Sequence, residues 1–388
     1  ASAARCMSGF VRRPVAGSEA SPKRQRLDNE SERGGMVSVA PLGLLPREVR
    51  ALGPAPENHF GLAPLDGATV AAPGAKAPAN LAWQASRSHL LVWKAAKGEN
   101  ACTRLALPRL AQTPEGWRVG AFFFEEEAEV GVLAVSSSGN VLCWPSITIT
   151  VPTEDGLELG PGVTVTSLAT FQQHEVLYAV VGTSAGSVWL VWVTSEDLCV
   201  RKRLLADGSL ASTGGAKSSF MGRLWSFGTG AGAGGADGQA SRPVNSMAVI
   251  ATENDTLFAF ALTQDGSLFR FDVTASAGGT TNPAPWECNS ISKWIAQRSH
   301  AKLAPALVHV AGIRCAQGNS RLAIFARSGD RVAAFELRNV CSNSEPQLGV
   351  HTPPVEVSSE HVPQFVFRAN STQSALALIA WESGEELV

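Results

Sequence analysis

Residues 132–145, VLAVSSSGNVLCWP, place an apolar run, a polar turn ending in glycine and a second apolar run in one short stretch of sequence. The same order recurs at residues 177–193 (LYAVVGTSAGSVWLVWV), 257–273 (LFAFALTQDGSLFRFDV) and 322–337 (LAIFARSGDRVAAFEL). In the first three copies an apolar residue follows the glycine by two positions, at Val141, Val188 and Leu268. A glycine turn between two β-prone runs is typical of a β-hairpin. The sequence therefore predicts a series of related hairpins.

The hairpins recur at intervals that suit a β-propeller. Their turn glycines are Gly139, Gly186, Gly266, Gly329 and Gly384, which are 47, 80, 63 and 55 residues apart. Residues 89–94 (HLLVWK) resemble half of an earlier copy, and residues 362–388 resemble a later one. Stacking such units around an axis buries faces that a single unit cannot cover. A β-sandwich would also explain short strands, but it does not explain the recurring unit. We predict an all-β fold, a β-propeller of which about six blades are covered.

Composition divides the chain into regions. Residues 1–40 have no hydrophobic periodicity and are expected to be a disordered basic tail. Residues 41–388 are assigned to the propeller, of which 41–80 is rich in Pro, Gly and Ala and is expected to be irregular wrapping with one strand. The longest gap between turn glycines predicts a flexible insertion at 207–242. Because the last unit stops partway through its second strand, we expect the propeller to be truncated at the C-terminus.

Overall composition narrows the function. Hydrophobic residues make up 45% and charged residues 17%, which excludes wholesale disorder. The formal net charge of −2 does not suit a protein that coats nucleic acid, and no direct nucleic-acid contact is expected. The seven cysteines are widely spaced without a CxxC pair, so neither a disulfide framework nor a cysteine zinc site is predicted.

Several short motifs imitate catalytic sites or a membrane span. Residues 182–186 match G-x-S-x-G, but a strand follows them rather than the required helix. Gly230, Gly232 and Gly235 match G-x-G-x-x-G inside a glycine tract that follows no strand. The uncharged stretch 176–195 has the length of a membrane span, yet its polar centre favours a hairpin. We therefore expect a protein that is not an enzyme and has no cofactor, metal or small-molecule substrate.

The insertion carries a pattern of large apolar residues. Drawn as a helix, residues 209–228 gather one apolar face, opposite a face of Ser, Thr and Gly. The candidate membrane-binding residues on and beside that face are Leu210, Phe220, Met221, Leu224, Trp225 and Phe227. Gly214, Gly215 and Gly222 each disfavour a helix by about 1 kcal/mol, so folding requires an apolar surface. The composition resembles an amphipathic lipid-packing sensor, which inserts into convex bilayers. The alternative is an ordinary loop whose aromatic residues pack on the propeller.

The N-terminal tail contains two basic clusters. Arg12 and Arg13 form the first, and Lys23, Arg24 and Arg26 form the second. This spacing resembles a bipartite nuclear localisation signal, and importin is the partner it implies. Phosphorylation at Ser21 beside Pro22 would add negative charge and oppose that contact. The alternative is a solvated basic tail.

Together the basic tail, the Trp-rich repeats and the amphipathic insertion resemble the N-terminal domain of the nucleoporin-133 family. The closest local match is residues 141–147, VLCWPSI, which are similar to the family's strand ending in Trp-Pro-Ser. The resemblance implies a seven-bladed propeller, a scaffold role in the outer-ring Y-shaped complex of the nuclear pore, and other pore scaffold proteins as partners. It also implies a location at the nuclear envelope, where the loop at residues 209–228 would contact curved membrane. The alternative function is a general propeller interaction module without a membrane role.

Overall fold

The structure is a computed structural model of the 388-residue chain. It describes residues 43–44, 60–63, 81–86, 88–94, 102–108, 116–124, 129–173, 175–208, 242–252, 254–277, 286–288, 291, 295, 306–313, 321–328, 331–342, 346–351, 355–356, 362–369, 374–381 and 386–387. All of them lie in one compact unit, Gly34–Val388. The expected disordered tail, residues 1–40, lies outside the described residues.

The described residues are almost entirely β-strands. In chain order the first strands are β1 (Gly43–Leu44), β2 (Phe60–Ala63), β3 (Leu81–Ala85), β4 (His89–Lys94), β5 (Cys102–Ala106), β6 (Trp117–Phe124), β7 (Glu129–Ser136), β8 (Asn140–Trp144), β9 (Thr153–Gly156), β10 (Val165–Gln173), β11 (Val176–Thr183), β12 (Ser187–Thr194) and β13 (Arg201–Asp207). They are followed by β14 (Val244–Ala251), β15 (Leu257–Thr263), β16 (Leu268–Asp272), the short helix α1 (Val273–Ala277), β17 (Trp286–Cys288), β18 (Ala306–Ile313), β19 (Arg321–Ser328), β20 (Arg331–Arg338), β21 (Gln347–His351), β22 (Val355–Glu356), β23 (Val362–Ala369), β24 (Ser374–Trp381) and β25 (Glu386–Leu387).

These strands form six antiparallel sheets. Sheets 1 to 4 each take four consecutive strands, beginning with β2, β6, β10 and β14, and sheet 5 contains β18 to β22. Sheet 6 has the order β1-β25-β24-β23, so a strand from near the start of the chain completes the last sheet. The predicted all-β fold of about six blades is therefore confirmed. The seventh blade that the family resemblance implies is not among the described strands.

The first strands of the sheets form a closed ring. The first strands of sheets 1 to 6 are β2, β6, β10, β14, β18 and β23. Each contacts the first strand of the next sheet, and β23 contacts β2, which closes the ring. Consecutive sheets around an axis, with their first strands innermost, define a β-propeller rather than a sandwich. Pairing of Gly43 with Leu387 adds β1 to the outer edge of sheet 6 and joins the two ends of the described chain.

The core lies between neighbouring sheets. Along β7, Val132 and Ala134 face the cluster shared with sheet 1, whereas Leu133 and Val135 face the cluster shared with sheet 3. Two further clusters lie between sheets 3 and 4 and between sheets 4 and 5. Because side chains alternate across a strand and both faces are buried, the strands read as continuous apolar runs.

The hairpin prediction is confirmed at three of the five turn glycines, and the other two, Gly329 and Gly384, lie outside the described residues. Gly139, Gly186 and Gly266 have φ angles of 93°, 81° and 82°, a left-handed conformation that favours glycine. The apolar residues two positions later are fully buried. Residues 176–195, the apparent membrane span, form the hairpin β11–β12 as predicted. In residues 41–80, where one strand was expected, the structure has two, β1 and β2; each is too short to give a periodic signal in the sequence.

Candidate functional site at the base of the 207–242 insertion

The site residues predicted from sequence lie outside the described residues. This holds for the apolar residues of the insertion, Leu210, Phe220, Met221, Leu224, Trp225 and Phe227, and for the basic tail residues Arg12, Arg13, Lys23, Arg24 and Arg26. The structure does describe the residues on either side of the insertion, since β13 ends at Asp207 and β14 begins at Val244. The described residues therefore include both ends of the insertion.

Both ends of the insertion meet the same hairpin turn. A Cβ atom placed on Gly208 would lie 3.0 Å from the carbonyl oxygen of Ala185, and one placed on Gly186 would lie 2.7 Å from that of Arg242. Gly208 and Gly186 also share positive φ angles, of 88° and 81°. Glycine at these two positions lets the leaving chain and the returning chain approach one turn closely. The insertion thus departs from and returns to nearly the same place.

Arg242 is held where the insertion returns. Its Nε atom lies 3.2 Å from Oδ2 of Asp265, and its Nη1 atom lies 3.1 Å from Oε1 of Glu287. Asp265 belongs to the β15–β16 turn and Glu287 to β17, so both carboxylates come from sheet 4. The Arg242 and Glu287 side chains are 21% and 15% exposed, which limits screening of the pair by water. The ion pairs fix the returning end to sheet 4.

Pro243 and Val244, which follow Arg242, each accept a hydrogen bond at the backbone carbonyl oxygen. Gln264 N–H donates to the carbonyl oxygen of Pro243 at 2.8 Å, and Thr166 Oγ1 donates to that of Val244 at 2.5 Å. The chain leaving the insertion is therefore attached to sheet 4 and also to β10 of sheet 3. This arrangement makes the base a rigid support that can hold a loop in position.

The inner strands near this base are tied together by polar side chains. Arg118 of β6 donates from Nε to the carbonyl oxygen of Thr166 at 2.8 Å. The Thr166 hydroxyl donates to the carbonyl oxygen of Val244, so the three strands β6, β10 and β14 are linked. Burial lowers the pKa of Arg118 from its ordinary value. Each of β10, β14 and β18 also has a register shift near its start, after Val165, Val244 and Leu307. Such bulges bend a strand and free a peptide group for other partners.

Ser246 and His309 form a polar contact that resembles a nucleophile with its base. Ser246 Oγ lies 2.8 Å from His309 Nδ1, but it also accepts a hydrogen bond from Val310 N–H at 3.1 Å. Burial lowers the pKa of His309 to about 4. Ser246 is 3% exposed, and the hydrogen bonds of its hydroxyl join β14 to β18. We assign this pair a structural role between two inner strands.

Sequence reasoning missed the ion pairs of Arg242 and the surroundings of Arg270. The Arg270 guanidinium lies 5.1 Å from the ring centroid of Phe258 and 5.2 Å from that of Trp286, and it donates to the carbonyl oxygens of Val340 and Ser342. A lone arginine in an apolar strand gives no sequence signal for such a cage.

No cluster of three or more potential metal ligands occurs among the described residues. None of the helical segments described has the length and hydrophobicity that a bilayer span needs.

Comparisons with known proteins give likenesses of fold. No family model matches the chain, and no curated protein matches it by sequence. The Nup133 β-propeller domain of Vanderwaltozyma polyspora is 12% identical with a TM-score of 0.46, over 83% of this chain and 82% of that one. Raptor of Chaetomium thermophilum is 10% identical with a TM-score of 0.46, over 91% of this chain and 28% of that one. AofleA of Arthrobotrys oligospora is 10% identical with a TM-score of 0.42, over 87% and 88%. These values identify no relative, and the propeller assignment rests on the sheets themselves.

Proposed function

We propose that this chain is a non-enzymatic scaffold whose propeller holds the 207–242 insertion against a curved membrane. The observation that supports it is the base of the insertion, where Gly208 and Arg242 meet one hairpin turn and Arg242 is bonded to two carboxylates. A loop held at both ends can change its own conformation without moving the strands that carry it. Such a base suits a segment that must fold on a surface outside the propeller.

The sequence of the insertion supplies the reason for membrane binding. Phe220, Leu224 and Phe227 repeat at helical spacing, with Met221 and Trp225 beside them. Burying each large side chain contributes roughly 1.5–3 kcal/mol, which can exceed the helix penalty of the nearby glycines. Lys217 and Arg223 are the insertion's charged residues between Ser209 and Gly228, so attraction to anionic lipid is weak. Binding then depends on gaps between lipid headgroups, which convex curvature widens.

The cellular setting is proposed from the family resemblance. A nucleoporin-133-like propeller implies the nuclear pore outer ring, other Y-complex scaffold proteins as partners, and curved nuclear membrane beside the loop. The clusters at Arg12–Arg13 and Lys23–Arg26 would bind importin and deliver the chain to the nucleus.

Liposome flotation tests the membrane role. The protein is mixed with zwitterionic vesicles of small and large diameter, and the floated fraction is measured at equal lipid area. We expect preferential flotation with small vesicles, and its loss in the double variant Leu224→Asp/Trp225→Asp. The matched control Ser219→Asp/Ser226→Asp adds the same charge to the opposite face of the helix and is expected to float like the unaltered protein.

The second candidate function is a general protein-interaction propeller. It predicts that the floated fraction is equally low with small and large vesicles, and that neither double variant changes it. That result would remove the membrane role and leave the interaction module.

A further inference from the structure

Arg118 carries a positive charge that is partly buried and has no carboxylate partner among the described residues. The ion pairs in that part of the chain involve other cations. The Arg118 guanidinium donates from Nε to the carbonyl oxygen of Thr166 at 2.8 Å and from Nη1 to that of Trp117 at 3.0 Å. A guanidinium has five N–H groups, so donors remain for another acceptor. Because buried charges are ordinarily paired, this arginine indicates a place for an anion.

Arg118 occupies a position that recurs in the first strands of sheets 2, 3 and 4. In each sheet the hydroxyl residue three positions before the turn glycine pairs with a residue at the start of the first strand; these pairs are Trp117 with Ser136, Val165 with Thr183 and Val244 with Thr263. The next residue of each first strand is Arg118, Thr166 or Asn245. These three residues therefore lie at the same level of their sheets.

The three residues surround one end of the propeller axis. The strands β6, β10 and β14 are innermost, and each pairs within its sheet along one edge, so the other edge faces the axis. Arg118 bonds to Thr166 on the next strand, and the Thr166 hydroxyl bonds to the residue before Asn245. The N–H of Ser137, in the β7–β8 turn, donates to the carbonyl oxygen of Gly116 at 2.7 Å. This is the end of the sheets at which the insertion is also based.

The first strands leave little room below this level. A Cβ atom on Gly120, two residues after Arg118, would overlap the side chain of Thr170 on β10. A Cβ atom on Gly312 of β18 would lie 2.9 Å from the carbonyl oxygen of Val249 on β14. A ligand of Arg118 is therefore held at the end of the axis, where solvent reaches it.

The charge at this end matches a carboxylate. Thr166 and Asn245 are neutral, and Asn245 is exposed, so its amide can donate to a ligand beside the guanidinium. One guanidinium balances the single charge of a carboxylate, whereas a phosphate group brings roughly two negative charges. A planar carboxylate also accepts two parallel hydrogen bonds from an arginine.

We propose that Arg118, with Thr166 and Asn245 beside it, binds the carboxylate of an aspartate or glutamate side chain from a partner protein. A partner's side chain is favoured over a free acid because one solvent-accessible charge holds a small anion weakly, while a protein surface adds further contacts. The site does not rest on the membrane role, since none of these residues belongs to the insertion.

Two peptides that differ in one charge test the proposal. The probes are acetyl-Gly-Ser-Asp-Ser-Gly-amide and the same peptide with Asn in place of Asp, added to the whole chain without lipid at matched ionic strength. A ligand of the folded protein raises its melting temperature by mass action, and we expect a rise of at least about 1 °C with about 20 mM of the Asp peptide. The Asn peptide should leave the melting temperature unchanged. Acetate and inorganic phosphate at the same concentration should each raise it less than the Asp peptide does.

Variants locate the binding. Arg118→Met should abolish the effect of the Asp peptide, and Asn245→Asp should reduce it severalfold, because the added charge repels a carboxylate. Arg104→Met is the matched control, since Arg104 is exposed on β5 and also has no ion pair among the described residues. It should retain the full effect. If Arg118→Met does not fold, Asn245→Asp decides the question, because its exposed side chain can be changed without disturbing the core.

The proposal is overturned if the two peptides act alike on the native protein, if Arg104→Met loses the effect, or if Asn245→Asp keeps it in full. An equal effect of acetate would assign the site to a free acid instead of a partner's side chain. A larger effect of phosphate would contradict the match to a single negative charge.

Discussion

Arg242 and Glu287 form an ion pair, 3.1 Å from Nη1 to Oε1, at the point where the insertion returns to the propeller. The same guanidinium reaches Asp265, so one residue joins the returning chain to a turn and to an edge strand of sheet 4. Because Gly208 and Gly186 pack the departing chain against the turn that Arg242 also contacts, the insertion is closed at its base.

The pair should contribute to stability. Arg242→Met leaves the Glu287 carboxylate, 15% exposed, without this partner, and we expect the free energy of unfolding to fall by about 1–3 kcal/mol. Urea unfolding measures the change. Arg201→Met removes a salt bridge whose partners are 41% and 40% exposed, and it should have little effect because water screens that pair. Equal losses in the two variants would contradict the assigned role of Arg242.

The hairpin turn at the base should require glycine. At Gly186 a Cβ would lie 2.7 Å from the Arg242 carbonyl oxygen, and φ is 81°. Gly186→Ala is expected to destabilise the protein by about 1–3 kcal/mol through strain and displacement of Arg242. Gly156→Ala is the comparison, since a Cβ there meets no atom within 4 Å. Thermal unfolding should separate the two, and similar melting temperatures would show that the turn tolerates a side chain.

We expect replacement of Arg270 by lysine or by an apolar residue to lower the free energy of unfolding. Its planar guanidinium faces Phe258 and Trp286 and donates to two carbonyl oxygens after β20, so it joins sheets 4 and 5. Arg270→Met should cost about 2–4 kcal/mol, because carbonyl groups lose their donor. Arg270→Lys retains the charge but not the fork of donors, and an intermediate loss is expected. Urea unfolding measures both losses. If Arg270→Lys were as stable as the native protein, the positive charge alone would account for the contribution of Arg270.

His309 should make stability depend on pH. Burial lowers its pKa from 6.5 to about 4, so the unfolded chain binds a proton at a pH where the folded chain does not. The contribution of this histidine is fully present above pH 6.5 and is lost as pH falls from 6.5 to about 4, by on the order of 3 kcal/mol. Urea unfolding measured across this range should show that the free energy of unfolding depends more strongly on pH in the native protein than in His309→Asn. Identical pH dependence in both would refute the assignment to His309.

The hairpins could be predicted because their physical requirement is visible in the sequence. A left-handed turn favours glycine, and both faces of each strand are buried, so glycine between apolar runs indicates the unit. A further signal was present and was missed: a hydroxyl residue lies three positions before the glycine, at Ser136, Thr183 and Thr263. Each bonds across its turn, as Ser136 Oγ does in accepting Asn140 N–H at 2.9 Å.

Other features depend on how separate sheets meet, which no local pattern encodes. Arg242 lies 23 residues before Asp265 and 45 before Glu287, separations that no local pattern marks. Its pairs exist because the β15–β16 turn and β17 surround the returning chain. The strand Gly43–Leu44 is too short to show alternation, and only its pairing with β25 reveals it. The apolar residues of the insertion were found by helical spacing, and their membrane contact stays a prediction.

Amide hydrogen exchange of residues 209–228 tests the central proposal most directly. Measured on the whole chain without lipid, with large vesicles and with small vesicles, exchange should be fast in the first two cases and slow only with small vesicles. Slow exchange of Phe220 and Trp225 without any lipid would show that these residues already pack within the protein, and it would contradict the account. So would fast exchange in all three samples.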